Sequence, residues 1–179
     1  MREIELERTF LVKSIPPECK NVEGLDLLDI YLPTSAVHPV LRIRQRGNKM
    51  VITKKQILNG TDSSEMSEDT IPLSNEEYEE MTQLKGKRLH KKRHTFKQKN
   101  NTVDIDVYLD DLAGLVVADF EFENIDEKNA FVAPAWCLAD VTQEKFIAGG
   151  LLAGKKYENI ESELSKFSYK KIIIKNQNY

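Results

Sequence analysis

The chain has 179 residues, enough for one domain that buries a core without disulfides or a structural metal. Its 26 basic and 29 acidic residues leave a net charge of -3, which excludes a whole-molecule electrostatic footprint for nucleic acid. No apolar run approaches the roughly 20 residues needed to span a bilayer, so no membrane partner is expected. The opening residues Met1-Arg2-Glu3-Ile4-Glu5 lack the apolar stretch of a signal peptide. Cys19 and Cys137 match no metal spacing and read as free buried thiols, so a reducing cytoplasm is the expected compartment. A homodimer is left open.

Taken in chain order, the first two thirds read as strands. Residues 3–12 alternate, with Ile4, Leu6, Phe10 and Val12 on one face and Glu3, Glu5, Glu7 and Thr9 on the other. A strand over 28–32 follows, then a hairpin of 40–46 and 50–57 around Gly47 and Asn48. After a strand at 65–71, Ser74 and Glu77 form a capping box for a helix carrying Tyr78, Met81 and Leu84. Strands at 88–97, 103–109 and 115–123 complete a set of eight, the number that suits a small closed barrel. The expected fold is therefore mainly β (α+β), an eight-stranded antiparallel barrel with peripheral helices, in a single domain over 1–179. From about 142 to 167 the pattern turns helical, broken by Gly149, Gly150 and Gly154. The tail KKIIIKNQNY fits a last edge strand or a frayed end equally well.

The informative feature is the sorting of charge within strands. Glu5 and Glu7 share a face; so do Arg42 and Arg44, Thr53 and Lys55, Lys91 and Arg93, Asp104 and Asp106, and Asp119 and Glu121. An antiparallel sheet with one wet side explains any single strand. It explains six strands less well, because a wet face mixes Thr, Ser, Lys and Glu, whereas these are pure acid pairs and pure base pairs. A barrel closed with these faces inward would hold acids and bases in one cavity, where they must neutralise one another or hold ions. Arg and Lys there suit phosphate oxygens. Carboxylates without His or Cys suit hard cations, Mg2+ or Mn2+.

Other residues read as structural. His38, His90 and His94 share no ligand spacing, and His90 and His94 have the opposite parity to Lys91 and Arg93, which predicts exposed surface. Trp136 reads as a packing anchor, and no nucleophile elbow surrounds Ser74, Ser162 or Ser165. The basic stretch 85–99 admits an RNA patch, but alternation lets one set of its charges face the cavity, and nucleic acid is not the expected partner.

The ordered set of motifs resembles the CYTH superfamily, the triphosphate tunnel metalloenzymes, over roughly residues 3–146. Glu5-Leu6-Glu7-Arg8-Thr9-Phe10 is similar to its opening ExExK signature, and Tyr31-Leu32 follows in order. Arg42-Ile43-Arg44 resembles its RxR strand, Thr53-Lys54-Lys55 its TxK strand and Lys91-Lys92-Arg93 its KxR strand. Asp104-Ile105-Asp106 and Asp119-Phe120-Glu121 fall where the family has ExD and ExE, and Pro134-Ala135-Trp136 with Asp140-Val141-Thr142 resembles the segment after the barrel. The resemblance implies a metal-dependent hydrolase of inorganic triphosphate or a triphosphorylated small molecule. It assigns Arg42, Arg44, Lys55, Lys91 and Arg93 to the phosphates and Glu5, Glu7, Asp119 and Glu121 to metal, with Asp106 and Glu68 supporting them. Lys55 and Glu7 are the residues it assigns to catalysis. An adenylyl cyclase of the same fold and a non-catalytic polyphosphate- or nucleotide-binding domain are the alternatives.

Three departures accompany the likeness. Thr9 replaces the Lys of ExExK, and the middle strand is reduced to Ser64-Glu65-Met66-Ser67-Glu68. The closing C-terminal helix, where a basic or Tyr-x-Asn signature is usual, reads Lys145-Phe146-Ile147-Ala148-Gly149-Gly150. Lys145, or Lys155 and Lys156 beyond the glycines, is expected to compensate.

Overall fold

The computed structural model describes residues 2–58 and 61–173, with side chains from Ile4 onward. Nine strands form one antiparallel sheet: β1 (Arg2–Val12), β2 (Leu25–Leu32), β3 (Leu41–Arg46), β4 (Lys49–Ile57), β5 (Glu65–Pro72), β6 (Lys87–Gln98), β7 (Asn101–Tyr108), β8 (Val116–Phe122) and β9 (Cys137–Asp140). The ladder runs β5-β4-β3-β2-β6-β7-β8-β1, and pairing of β1 with β5 closes those eight strands into a barrel. The expected eight barrel strands are present. The ninth is a four-residue strand, too short to show alternation, that pairs with β1 at Phe10–Val12.

Closure covers the edge of β1 that faces away from β8. β5 covers it up to Leu6, and the Glu7 N–H then donates to the Ser64 carbonyl. The Thr9 N–H donates to the Thr142 hydroxyl, and Thr9 O accepts from the Val141 N–H before β9 takes over. A side chain thus stands in for the ladder where β5 hands over to β9.

Two apolar clusters fix the barrel's orientation. The outward faces of β1, β7 and β8 (Phe10, Val103, Ile105, Val116, Ala118, Phe120) form one wall. The loop carrying Trp136 covers it, and that indole stacks on Phe120 at 5.6 Å, as its reading as an anchor requires. Both cysteines are buried in this cluster as free thiols. The second cluster lies at one end of the lumen. There the last inward residues, Leu11, Tyr31, Leu89, Tyr108 and Val117, pack against Ile147, Leu152, Ile160 and Leu164 of the C-terminal region. These side chains make an apolar floor.

The helices are short. α1 (Asn75–Thr82) has both capping-box bonds between Ser74 and Glu77, yet buries none of its residues and lies across β3 and β4. α2 (Ile125–Ala130) is capped by the Asn124 side chain. The region predicted to be helical over 142–167 is a chain of single turns, including α3 (Gly149–Leu152) and α4 (Glu161–Ser165). Close approach accounts for two of the glycines that break it, and a φ of +76° for the third, Gly154. A Cβ on Gly149 would collide with the Tyr31 hydroxyl, and one on Gly150 with the Pro39 carbonyl. The strand or frayed end considered for the tail lies outside the described residues from 174 onward; 170–173 carry no regular structure.

Two expectations are corrected. His94 is not surface but 1% exposed, because the turn Pro17–Asn21 and Gly24 cover the outward face of β6, and its Nδ1 bonds the Val22 carbonyl. His90 is half-buried between Asp26 and Asp110. Nor do the C-terminal lysines supply charge to the lumen. Lys145 and Lys156 are exposed, and Lys155 lines a cleft of about 230 Å³ on the outer face with Tyr78, Arg88 and His90.

Candidate functional site

All six sorted pairs face inward, because a strand's side-chain period of two puts alternate residues in the lumen while the apolar alternates meet the outer wall. Immediately against the floor lies a ring that includes Thr9, Asp29, Lys91, Asp106 and Asp119, each two residues from a floor side chain on its own strand. Glu7, Arg93, Asp104 and Glu121 form the next ring outward.

Around the barrel the charges divide into two arcs. Cations project from β3, β4 and β6, and carboxylates from β1, β5, β7 and β8. Each cation meets at least one acid. Arg42 Nη2 donates to Glu68 at 2.9 Å and its Nε to Thr53 at 2.7 Å. Arg44 donates Nε and Nη2 to the two oxygens of Asp29 at 2.6 and 2.7 Å. Lys55 sits between Glu5 at 2.7 Å and Glu7 at 2.6 Å. Lys91 bonds Asp106, and Arg93 holds Asp106 through Nε and Nη2 at 2.6 Å each and Asp104 through Nη1 at 2.5 Å. All three guanidinium nitrogens of Arg93 are thereby engaged.

The predicted metal residues separate under this geometry. Glu5, Glu7, Asp119 and Glu121 lie together on neighbouring strands, with Glu7 directly opposite Glu121 and Thr9 opposite Asp119 in the β1–β8 ladder. Asp106 and Glu68 stand apart as partners of Lys91, Arg93 and Arg42. Asp119 receives the Thr9 hydroxyl at 2.8 Å, so the residue that replaces the motif lysine does line the lumen.

Protonation follows the same division. Burial works against the Asp29 carboxylate, but Arg44 overrides it and holds its pKa at about 2. Burial likewise works against Glu7, and Lys55 overrides it to a lowered value. Lys55 is itself raised by Glu7 and Glu5 in spite of burial, so it stays charged. Lys91 differs: burial lowers its pKa, and the neighbouring Arg93 and Arg44 charges oppose the pull of Asp106. In the acidic arc, burial with the Glu7 and Asp106 charges pushes Asp119 up to about 7. Glu121 is raised by burial and by Asp104. Like charges placed opposite one another in a ladder are destabilising, and here no cation offsets them fully.

Among the described residues no three such side chains converge as a ready cation cluster. The donor chemistry nevertheless fits a hard divalent ion: acid side chains only, buried and crowded enough to raise two pKa values, with the Lys55 ammonium standing between Glu5 and Glu7 where a cation would. Sequence reasoning missed Asp29, Tyr31 and Tyr108 as lumen residues. The signal for the first two was Asp29 and Tyr31 at i and i+2 on β2, masked by the apolar residues around them.

No protein-family model matches the chain. An inorganic triphosphatase from Nitrosomonas europaea is 30% identical over 152 residues, covering 79% of this chain and 91% of that protein. The crystal structure of the inorganic triphosphatase NE1496 superposes with a TM-score of 0.62 at 27% identity, covering 84% of this chain and 95% of that one. A putative adenylate cyclase from Bacillus halodurans shares the fold, with a TM-score of 0.55 at 15% identity over 98% of this chain and 96% of that one.

Proposed function

The chain belongs to the CYTH-like family of the Nitrosomonas europaea inorganic triphosphatase, and on that premise we propose that it hydrolyses inorganic triphosphate bound in the barrel lumen. The observation that carries this reading is the arc of Arg42, Arg44, Lys55, Lys91 and Arg93 facing an arc of acids inside one closed barrel. A linear anion with many phosphate oxygens can bond several of these cations at once, exchanging their carboxylate partners for its own charge. Water attacks a phosphorus, the bridging P–O bond breaks, and orthophosphate and pyrophosphate leave. Catalysis of such a step is chiefly positioning and charge stabilisation.

The residues of this chain take distinct parts. Arg42 and Arg44 orient the phosphate chain, and Lys55 keeps Glu5 and Glu7 apart. Lys91, whose pKa burial depresses, is the interior cation best suited to exchange a proton with the attacking water. Glu5, Glu7, Asp119 and Glu121 would hold Mg2+ or Mn2+, which when bound neutralises phosphate oxygens. The buried free thiols fit a reducing cytoplasm.

Phosphate release from tripolyphosphate, ATP and thiamine triphosphate, measured with Mg2+, with Mn2+ and with chelator, tests the reading. Release from tripolyphosphate that chelator abolishes is the expected result. Cyclic AMP and pyrophosphate from ATP would instead mark a cyclase, and tight binding without release a sensor domain.

A further inference from the structure

β3, β4 and β6 contribute the cations of the lumen, and β2, which lies between β3 and β6, places one inward carboxylate among them. Asp29 pairs directly with Arg44 in the β2–β3 ladder, is 2% exposed, and accepts two bonds from one edge of the guanidinium. Asp106 and Glu68 neutralise cations from strands of the acidic arc. Asp29 does so from inside the basic one, with Arg42 and Lys91 also close enough to lower its pKa.

Its placement limits what it can do. The side chain is 1% exposed, so it lies beneath Arg44 and not in the path of a ligand. Both oxygens are taken by Nε and Nη2, and Nη1 has no hydrogen-bond partner among the described residues. The end of the guanidinium, Nη1 with the second N–H of Nη2 beside it, is then the part left for phosphate. A bidentate pair fixes the plane of the guanidinium, which a single bond would leave free to turn. Asp29 also sits two residues from Tyr31, so the orientation it imposes applies at the ring against the apolar floor.

We propose that Asp29 is a positioning residue for substrate, locking the Arg44 guanidinium edge-on so that Nη1 meets the phosphate group that reaches the floor. This rests on the triphosphatase reading. It predicts that Asp29 acts on affinity through Arg44 and has no separate effect of its own.

The test is a double-mutant cycle of Asp29→Asn, Arg44→Gln and the two combined, with steady-state kinetics on tripolyphosphate and thermal melting of each variant. In Asp29→Asn one accepting oxygen becomes a donor facing Nη2–H, so the lock is lost while the volume is kept. KM should rise roughly tenfold with kcat little changed, the scale of one charge-assisted bond. A merely structural role would lower the active fraction, and so apparent kcat, and leave KM alone. With Arg44→Gln already present, Asp29→Asn should add nothing to KM. The combined variant also carries no unpaired guanidinium, so it reports even if Asp29→Asn alone folds poorly. Independent, multiplying KM effects, or an unchanged KM in Asp29→Asn, would overturn the positioning role while wild-type turnover stands. Absence of wild-type turnover on tripolyphosphate would overturn the triphosphatase reading and this inference with it.

Discussion

The two arcs of the lumen handle charge in opposite ways. Every cation of the basic arc meets a carboxylate within 3 Å, and two of them, Arg44 and Arg93, do so in bidentate fashion. The acidic arc has acids left over, and burial together with the neighbouring carboxylates raises the pKa values of Asp119 and Glu121. The difference teaches where the protein is incomplete by itself. Its basic side is pre-organised by its own acids, while on its acidic side Asp119 and Glu121 are left with carboxylates that burial and neighbouring acids disfavour.

The contrast is broken most sharply by removing acids. Glu5→Gln combined with Glu7→Gln should lower metal-dependent phosphate release by about a hundredfold or more, since even residues behind a metal's ligands cost 10–100-fold. Circular dichroism should show an intact fold. Unchanged metal dependence would remove these residues from the site. On the other arc, Arg44→Ala should weaken tripolyphosphate binding about ten- to a hundredfold in isothermal titration and orthophosphate binding far less. Equal small losses for both anions would place Arg44 outside the substrate path.

Adding a cation to the acidic arc sharpens the comparison from the other direction. Thr9→Lys would bring an ammonium to Asp119, where the Thr9 hydroxyl now bonds. The metal-free protein should melt roughly 2–4 °C higher, the change expected for about 1 kcal/mol in a chain of this size. Activation should then require several times more metal, because lysine and ion compete for the same carboxylates. A titration of activity against Mg2+ reads this directly, and an unchanged midpoint would mean that Asp119 holds no metal.

The smallest effect concerns pH. Asp29 has a folded pKa of about 2, below the roughly 3.9 of an ordinary aspartate. Its contribution to stability is therefore present above about pH 4 and is lost as pH falls through 2. Urea unfolding of wild type and Asp29→Asn should differ at pH 6 and draw together toward pH 2. A gap that stays constant would show that the ion pair with Arg44 contributes nothing.

Much of this was legible before any coordinates. Strict alternation in β1, β3, β7 and β8 announced the inward faces, because a one-residue slip would have put Phe10 or Ile105 among the charges. The paired acids and bases then named the site. What could not be read were contacts between distant segments. Nothing local in 142–167 says that Ile147, Leu152 and Ile160 will meet Tyr31 and Leu89, or that glycines there make room for a tyrosine. His94 was misjudged for the same reason: parity gives the outward face of β6, but not the turn at 17–21 that covers it. Asp29 was overlooked because its neighbours Leu28 and Ile30 make β2 look like an ordinary half-buried strand.

The apolar floor has a consequence for traffic. With Leu11, Tyr31, Leu89, Tyr108 and Val117 packed against the C-terminal turns, a substrate bound in the lumen as proposed would have to enter and leave past Glu5 and Glu121. Cleavage of such a chain would then create a queue. The fragment nearer the entrance departs first, and the one against the floor waits behind it. Turnover in such a vessel is governed as much by the order of departure as by the bond that breaks, and an excess of the last-leaving product should stall it more than an excess of the first.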